Sequence, residues 1–500
     1  MLDLLIVSVP SNYLTAPMAA SALLKSAVEQ HGFSCETVDF SMLCFQEIFN
    51  KDYSQYLEWI KIFPGEFNFT NCNQWQQQQL EESLSLFVDL IDKKNPKLLG
   101  ISVFSYWQQR FTYLACKRLK TLRPDIKIVI GGMGCSAASS NLNGVTHLTF
   151  FDKKSSFANF MLSKKLTEFA VINDGELELV NLLQNQASYQ NIAISNESSF
   201  EHAVTPNYDN YELDQYLFLN NEKFLMIQGS KGCVRQCVFC SEHSNYSRYY
   251  FKNGNNIADE IIELSQKYNV FKFYFTDSLV NGSLPVFKEW VKKLAAYNIA
   301  NPNKAIKWHG NYICRKNNSI SDQEYLLIKQ SGAHGLTIGA ESGSNQVLTE
   351  MNKQSTVEDL LYELEKFKQY NIDCTLLMMV GFYNETWDDF LKTLTLLKNI
   401  QKYVLARTVT SIRAGYTLTI SDWSLYNQDD FVVDTTNKFN WLYKKNPSLT
   451  LNERIKRRIV LQEFCDELGI PVSYANEDLI ILENIANEKA NFREIESAHH

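Results

Sequence analysis

Short unbroken apolar runs alternate with longer amphipathic stretches along most of this chain. Residues 2–10 (LDLLIVSVP) form the first such run, and residues 18–32 follow with helical spacing that ends in glycine. A second strand is predicted over 34–40, then a helical insertion that includes the polar tract Gln76 to Gln79. The strand rhythm resumes at 98–104 (LLGISVF), with a helix over 110–122 and a strand over 126–132 (IKIVIGG). A further strand over 168–174 runs into Gly175 and Glu176, which open another helix. Runs of this kind are buried on both faces, so the pattern predicts a parallel sheet covered by helices, with ligands at the carboxyl ends of its strands. We assign residues 1–186 to this Rossmann-like domain.

Residues 187–220 turn polar and read as a linker. From residue 221 the strand and helix rhythm repeats six times, through strands at 224–227, 270–277, 306–314, 336–340, 372–382 and 408–413. Ser321 with Glu324 makes a capping box for one of the intervening helices. Six repeats fall short of the eight of a closed barrel. The predicted fold is therefore α/β: an N-terminal Rossmann-like parallel sheet domain, a partial (β/α)6 barrel over 221–420, and a helical C-terminal region over 421–500 with helices near 453–468 and 478–489. Reactive groups of parallel barrels gather at the C-terminal strand ends. That rule nominates Asp277, Ser278, Arg315, Glu341, Ser342 and Arg413.

One stretch departs from this alternation. Residues 231–240 (KGCVRQCVFC) place Cys233, Cys237 and Cys240 on one loop directly after an apolar run. Three thiolates at this spacing are able to bind three irons of a cubane cluster, which leaves a fourth iron open to an outside ligand. The competing assignment is a structural zinc closed by His243, although no second ligand pair lies at ribbon distance. The other eight cysteines are scattered and read as small buried hydrophobes. The remaining histidines, His309 and His334 among them, have no paired metal-ligand spacing.

Composition narrows the setting. The 500 residues are 45% hydrophobic, enough for large cores, and carry a formal net charge of −8. That balance argues against a nucleic-acid partner held by phosphate neutralisation. The basic string Arg454 to Arg458 is expected on the solvated side of a helix. No apolar run is long enough for a membrane span and no signal-peptide pattern opens the chain, so a cytoplasmic protein without membrane attachment is expected.

The CVRQCVFC string resembles the CxxxCxΦC signature of radical S-adenosylmethionine enzymes, with Phe239 at its aromatic position. The resemblance implies a 4Fe-4S cluster on Cys233, Cys237 and Cys240, with S-adenosylmethionine chelated by the open iron and cleaved reductively to a 5′-deoxyadenosyl radical. Residues 338–356 (IGAESGSNQVLTEMNKQST) resemble the GxESGSxxVLxxMxK signature of one subclass, implying that Glu341 approaches the ribose or amino-acid end of S-adenosylmethionine; a plain N-cap contact is the alternative for this residue. Residues 380–386, starting at Val380, resemble VGxPGET, with Tyr383 and Asn384 in place of proline and glycine, and would face adenine. Asp277 matches an aspartate of the relatives, while Arg248 and Lys353 match positively charged positions and otherwise read as surface or salt-bridge groups.

The N-terminal half resembles the cobalamin-binding domain fused to that subclass. The resemblance rests on the proline loop after the first strand, on Gly100 to Ser102, on Gly131 and Gly132, and on Asp174-Gly175-Glu176 in place of GEGE; Pro206-Asn207-Tyr208 resembles the linker. The DxHxxG corrinoid motif is absent. Cobalamin binding with C-methylation of a substrate is one implied outcome. The others are a rearrangement, cyclisation or oxidation without methyl transfer, or a zinc-stapled binding protein. A reductant such as flavodoxin or ferredoxin and a small-molecule or peptide substrate are the implied partners.

Overall fold

The structure, a computed structural model, describes residues 2–10, 14–63, 72–136, 156–185, 191–194, 204–218, 222–240, 242, 246, 248–316, 319–416, 428–433 and 440–473. The predicted helix over 478–489 and His243 lie outside them. The chain falls into two compact units, residues 1–232 with 241–276, and residues 233–240 with 277–500.

The first unit is built on a six-stranded sheet. Its strands are β1 (Leu4–Ser8), β2 (Cys35–Asp39), β3 (Leu98–Ser102), β4 (Lys127–Gly131), β5 (Phe169–Ile172) and β6 (Ile192–Ile194), in the order β2-β1-β3-β4-β5-β6. Every neighbouring pair is parallel. The apolar runs explain this directly, since β1 is buried along its whole length and its Leu4 and Ile6 pack with Val28, Leu98, Val129 and Val171. The strand order reverses between β1 and β3, which marks the carboxyl edge of these two strands as the place where such sheets bind ligands.

The predicted linker does not run free. Tyr208 is fully buried, and its hydroxyl donates to the Met226 carbonyl of β7 (Leu225–Ile227). In the same unit β8 (Ser230–Lys231) pairs antiparallel with β9 (Tyr250–Phe251), and β7 pairs parallel with β10 (Lys272–Phe275).

The second unit contains the cysteine loop and the later repeats. The strand expected over 306–314 splits into β11 (Lys307–His309) and β12 (Asn311–Tyr312), separated by Gly310, whose carbonyl accepts from Thr337 N–H at 3.0 Å. Strand β12 continues into a parallel sheet with β13 (Leu336–Glu341), β14 (Cys374–Val380), β15 (Val409–Tyr416) and, past a short antiparallel β16 (Phe431–Val433) and β17 (Trp441–Tyr443) pair, β18 (Val472–Ser473). Three helices of this unit start with capping boxes, at Ser321 with Glu324, Thr356 with Asp359, and Thr386 with Asp389. Each box satisfies two otherwise orphaned backbone donors and so fixes where its helix begins.

The basic string of the C-terminal helix (Leu451–Glu467) overturns the expectation of a solvated face. Arg454, Arg457 and Arg458 are all buried. Arg454 stacks on Trp441, with its guanidinium carbon 3.8 Å from the ring centre, and donates to the Trp441 and Leu449 carbonyls. Arginine interiors of this kind are stable because the fork finds acceptors and an aromatic face in place of water.

Candidate functional site

The middle of the cysteine loop, from Arg235 to Val238, is tied to its own unit. Val238 N–H donates to the Met351 carbonyl at 3.1 Å, and Asn352 Nδ2 donates to the Gln236 carbonyl at 2.9 Å. Arg235, between the first two cysteines, donates to the Lys353 carbonyl at 2.9 Å, to the Gln354 carbonyl, and to the Cys314 carbonyl at 3.4 Å. These contacts dock the loop onto the segment that follows the short helix Asn345–Glu350. None of Cys233, Cys237 and Cys240 is in a disulfide, and Arg235 N–H points at Cys233 Sγ from 3.3 Å. Burial raises the Cys237 thiol to about 11 against the pull of the Lys353 ammonium, so this sulfur ionises only with help such as a metal provides. Among the described residues no three His, Cys, Asp or Glu side chains converge on a point that a single metal ion would occupy.

Just before the loop, Gly232 has φ +75°, and a Cβ there would lie 2.6 Å from the Arg248 carbonyl oxygen, so glycine is required. Lys231 is 5% exposed and reaches Asp174 at 3.0 Å and Glu176 at 3.4 Å within the first unit. Burial pulls its ammonium down, but the two carboxylates outweigh that and hold it above its usual value. The Asp-Gly-Glu motif after β5 is therefore the partner of the residue two positions before Cys233.

Glu341 ends β13 in the left-handed region, at φ +60°, where the β13–β14 register shifts. Non-glycine residues held there cost of order 1–3 kcal/mol and gather at functional sites. Its carboxylate, itself buried, meets Lys353 Nζ at 2.7 Å, and the lysine side chain is 11% exposed. Burial is the largest influence on Lys353 and pulls it down; Glu341 and Cys237 prevail and raise it. The same ammonium lies 5.9 Å from the centre of the Phe239 ring. The N-cap alternative for Glu341 is corrected: Ser344 caps the next helix.

The remaining candidates separate. Ser342 accepts from Ser344 N–H and lies 3.4 Å from Thr393 Oγ1, so its hydroxyl shapes the turn. Arg315 is tied to the Asn281 and Gly282 carbonyls. Asp277 is buried, with its carbonyl accepting from Asn311 Nδ2, and Ser278 beside it is half-buried. Arg413 lies inside β15, exposed, not at a strand end. Val380 is buried at the end of β14, before a turn with Tyr383 and Asn384 at its centre that is closed by Glu385 N–H donating to the Phe382 carbonyl at 2.8 Å. Arg248 is an exposed residue stacked on Tyr250. In the first unit, Ser102 and Gly131 end β3 and β4. Gly132 has φ +102°, and a Cβ would sit 2.6 Å from the Val103 carbonyl oxygen. Phe104 and Met133 beside them are 56% and 47% exposed.

Sequence reasoning passed over Arg235, Asn352 and the positioning role of Lys353. The signal was present: one lies inside the cysteine spacing and the other two lie in the MNK of the 338–356 signature.

Residues 227–397 match the family model of the Radical SAM superfamily. An anaerobic magnesium-protoporphyrin IX monomethyl ester cyclase of Rubrivivax gelatinosus is 24% identical over 37% of this chain and 32% of its own length. An uncharacterized methyltransferase of Pyrococcus horikoshii is 21% identical over 62% of this chain and 66% of its own length. Among solved structures, the radical S-adenosylmethionine methyltransferase TsrM from Kitasatospora setae, with cobalamin and a 4Fe-4S cluster bound, superposes with a TM-score of 0.53 at 16% identity, covering 83% of this chain and 75% of that one. The family match is confined to residues 227–397, and the chain shares its α/β fold, parallel sheet plus partial barrel, with that methyltransferase.

Proposed function

We propose that this protein is an enzyme that reductively cleaves S-adenosylmethionine to start radical chemistry on a small molecule, with cobalamin serving a methyl transfer. The observation that carries the reading is the cysteine loop, three cysteines outside any disulfide on a loop docked beside the Glu341–Lys353 ion pair. The donor set fits a cubane cluster: three cysteines on a braced loop, an amide aimed at one sulfur, and a cation nearby. Such a cluster supplies, when bound, the electron that splits the sulfonium bond and releases a 5′-deoxyadenosyl radical. Cys233, Cys237 and Cys240 are the ligands we assign to it.

The protein's own groups do the holding. Lys353 fixes the Glu341 carboxylate in one orientation, so that Glu341 accepts from the ribose hydroxyls or the ammonium of S-adenosylmethionine. Val380 and the turn after it support the adenine. Asp277, Ser278, Arg315 and Ser342 complete the rim, Arg315 and Ser342 by shaping its loops. In the first unit, Ser102, Gly131 and Gly132 with the exposed Phe104 and Met133 offer an apolar carboxyl edge that fits a broad macrocycle such as cobalamin, which supplies a methyl group when bound. The corresponding domains are 1–186, a linker over 187–220, 221–420 and 421–500. A low-potential donor such as flavodoxin or ferredoxin would deliver the electron. No helix among the described residues is long and apolar enough to cross a membrane; a cytoplasmic site of action is part of the proposal.

Anaerobic reconstitution tests the reading. About four irons per chain are expected, with 5′-deoxyadenosine formed from S-adenosylmethionine and dithionite, and none formed by Cys237→Ala. Stoichiometric zinc without iron, or no 5′-deoxyadenosine from an iron-loaded chain, would sink it. Retention of cobalamin by the purified chain separates methyl transfer from rearrangement, cyclisation or oxidation.

A further inference from the structure

We infer that Arg457, sixty residues beyond the matched family region, is a positioning residue for the S-adenosylmethionine half of the site. The inference rests on the proposed function, in which the turn after β14 supports the nucleoside.

That turn is short of its own means of stiffness. Tyr383 and Asn384 occupy its two central positions, and neither presets the backbone as proline and glycine do. The rigidity comes from the C-terminal region instead. Arg457 Nη1 donates to Glu385 Oε2 at 2.7 Å, to the Glu385 carbonyl at 3.0 Å and to the Thr386 carbonyl at 3.3 Å. Glu385 Oε2 in turn accepts from Gly381 N–H at 2.8 Å, which closes the turn across its base. Asn446 Nδ2 adds donations to the Tyr383 and Glu385 carbonyls. Arg457 and Glu385 are 3% and 0% exposed, so water does not compete for these bonds.

Gly381 belongs to the same device. Its φ is +75°, and a Cβ would lie 2.6 Å from Arg454 Cγ, so the neighbouring arginine of the helix packs directly on the turn. Tyr383 is wedged between Phe382, Tyr443 and Phe431, with ring centres 4.5, 4.8 and 5.6 Å away. One guanidinium thus holds the far end of the turn directly and its near end through the Glu385 carboxylate, where the central residues do not preset the backbone. A lysine there keeps the charge and loses the fork.

A plain staple of the fold would show the same buried pair, and the two roles differ in what they move. With wild type cleaving S-adenosylmethionine, Arg457→Lys is expected to raise the KM for S-adenosylmethionine at least about tenfold. Its kcat at saturation and its iron content should stay within about twofold. A second variant, Arg457→Met with Glu385→Leu, removes both partners and leaves no buried charge behind, so the fold is retained. It should show the same rise in KM. An unchanged KM in both variants, a fall in kcat at unchanged KM, or loss of folding in both would overturn the inference. Failure of wild type itself to cleave S-adenosylmethionine would instead sink the functional reading.

Discussion

Replacing Gly339 by alanine tests the Glu341–Lys353 pair with a single methyl group. The added Cβ would lie 2.3 Å from Glu341 Oε1 and 2.5 Å from Lys353 Nζ. Gly339 does not occupy the left-handed region, so the backbone tolerates alanine and the effect comes from the side-chain clash alone. Ordinary contact needs about 3.5 Å, so the carboxylate must retreat by roughly 1 Å. Both intruded atoms end flexible side chains, and the overpacking cost should stay near 1–3 kcal/mol, which a folded protein survives. The site is less forgiving, because a displacement of about 1 Å at a group that orients substrate lowers turnover on the order of 100-fold. The assay is the initial rate of 5′-deoxyadenosine formation across S-adenosylmethionine concentrations, with iron content and denaturation midpoint measured on the same preparation. A Gly339→Ala protein with wild-type iron content and a rate within twofold of wild type would refute the claim that this pair orients the substrate.

Two further perturbations probe the frame around the site. Glu363 is 1% exposed and accepts from the Tyr312 and Tyr325 hydroxyls; burial pushes its carboxyl up to about 7 against those bonds. A carboxyl raised on folding contributes stability in full below its unfolded value and loses it as pH rises through about 7, here roughly 3 kcal/mol. Glu363→Gln keeps an acceptor for both tyrosines and should flatten the decline between pH 5 and 8 in denaturant titrations; an unaltered slope counts against the assignment. Asp39, buried in the other unit and raised to about 6, titrates in the same direction and is left untouched by that comparison. Gly132→Ala meets the Val103 carbonyl, a backbone atom that cannot swing aside, at a positive φ. It should destabilise the N-terminal sheet by about 1–3 kcal/mol and abolish cobalamin retention; cobalamin held at the wild-type level would exclude this edge as its site.

What could be read from residue order alone was whatever depends on near neighbours. The apolar runs of β1, β3, β4 and β5, the Ser321 capping box and the spacing of Cys233, Cys237 and Cys240 are local patterns, and each appears where the sequence places it. The parallel order also followed, because strands separated by helices have few other ways to bury both faces. The buried arginines did not follow. Arg454 to Arg458 look solvated in a linear reading, and only the folded chain supplies Glu385, 72 residues earlier, as the acceptor that makes burial of Arg457 tolerable. The same holds for Arg235, whose acceptors lie 79 to 119 residues away, and for Lys353, whose ammonium finds Glu341 through the bend at the end of β13. A charge's surroundings are set by which distant elements pack against it, and nothing in the local run of residues encodes that.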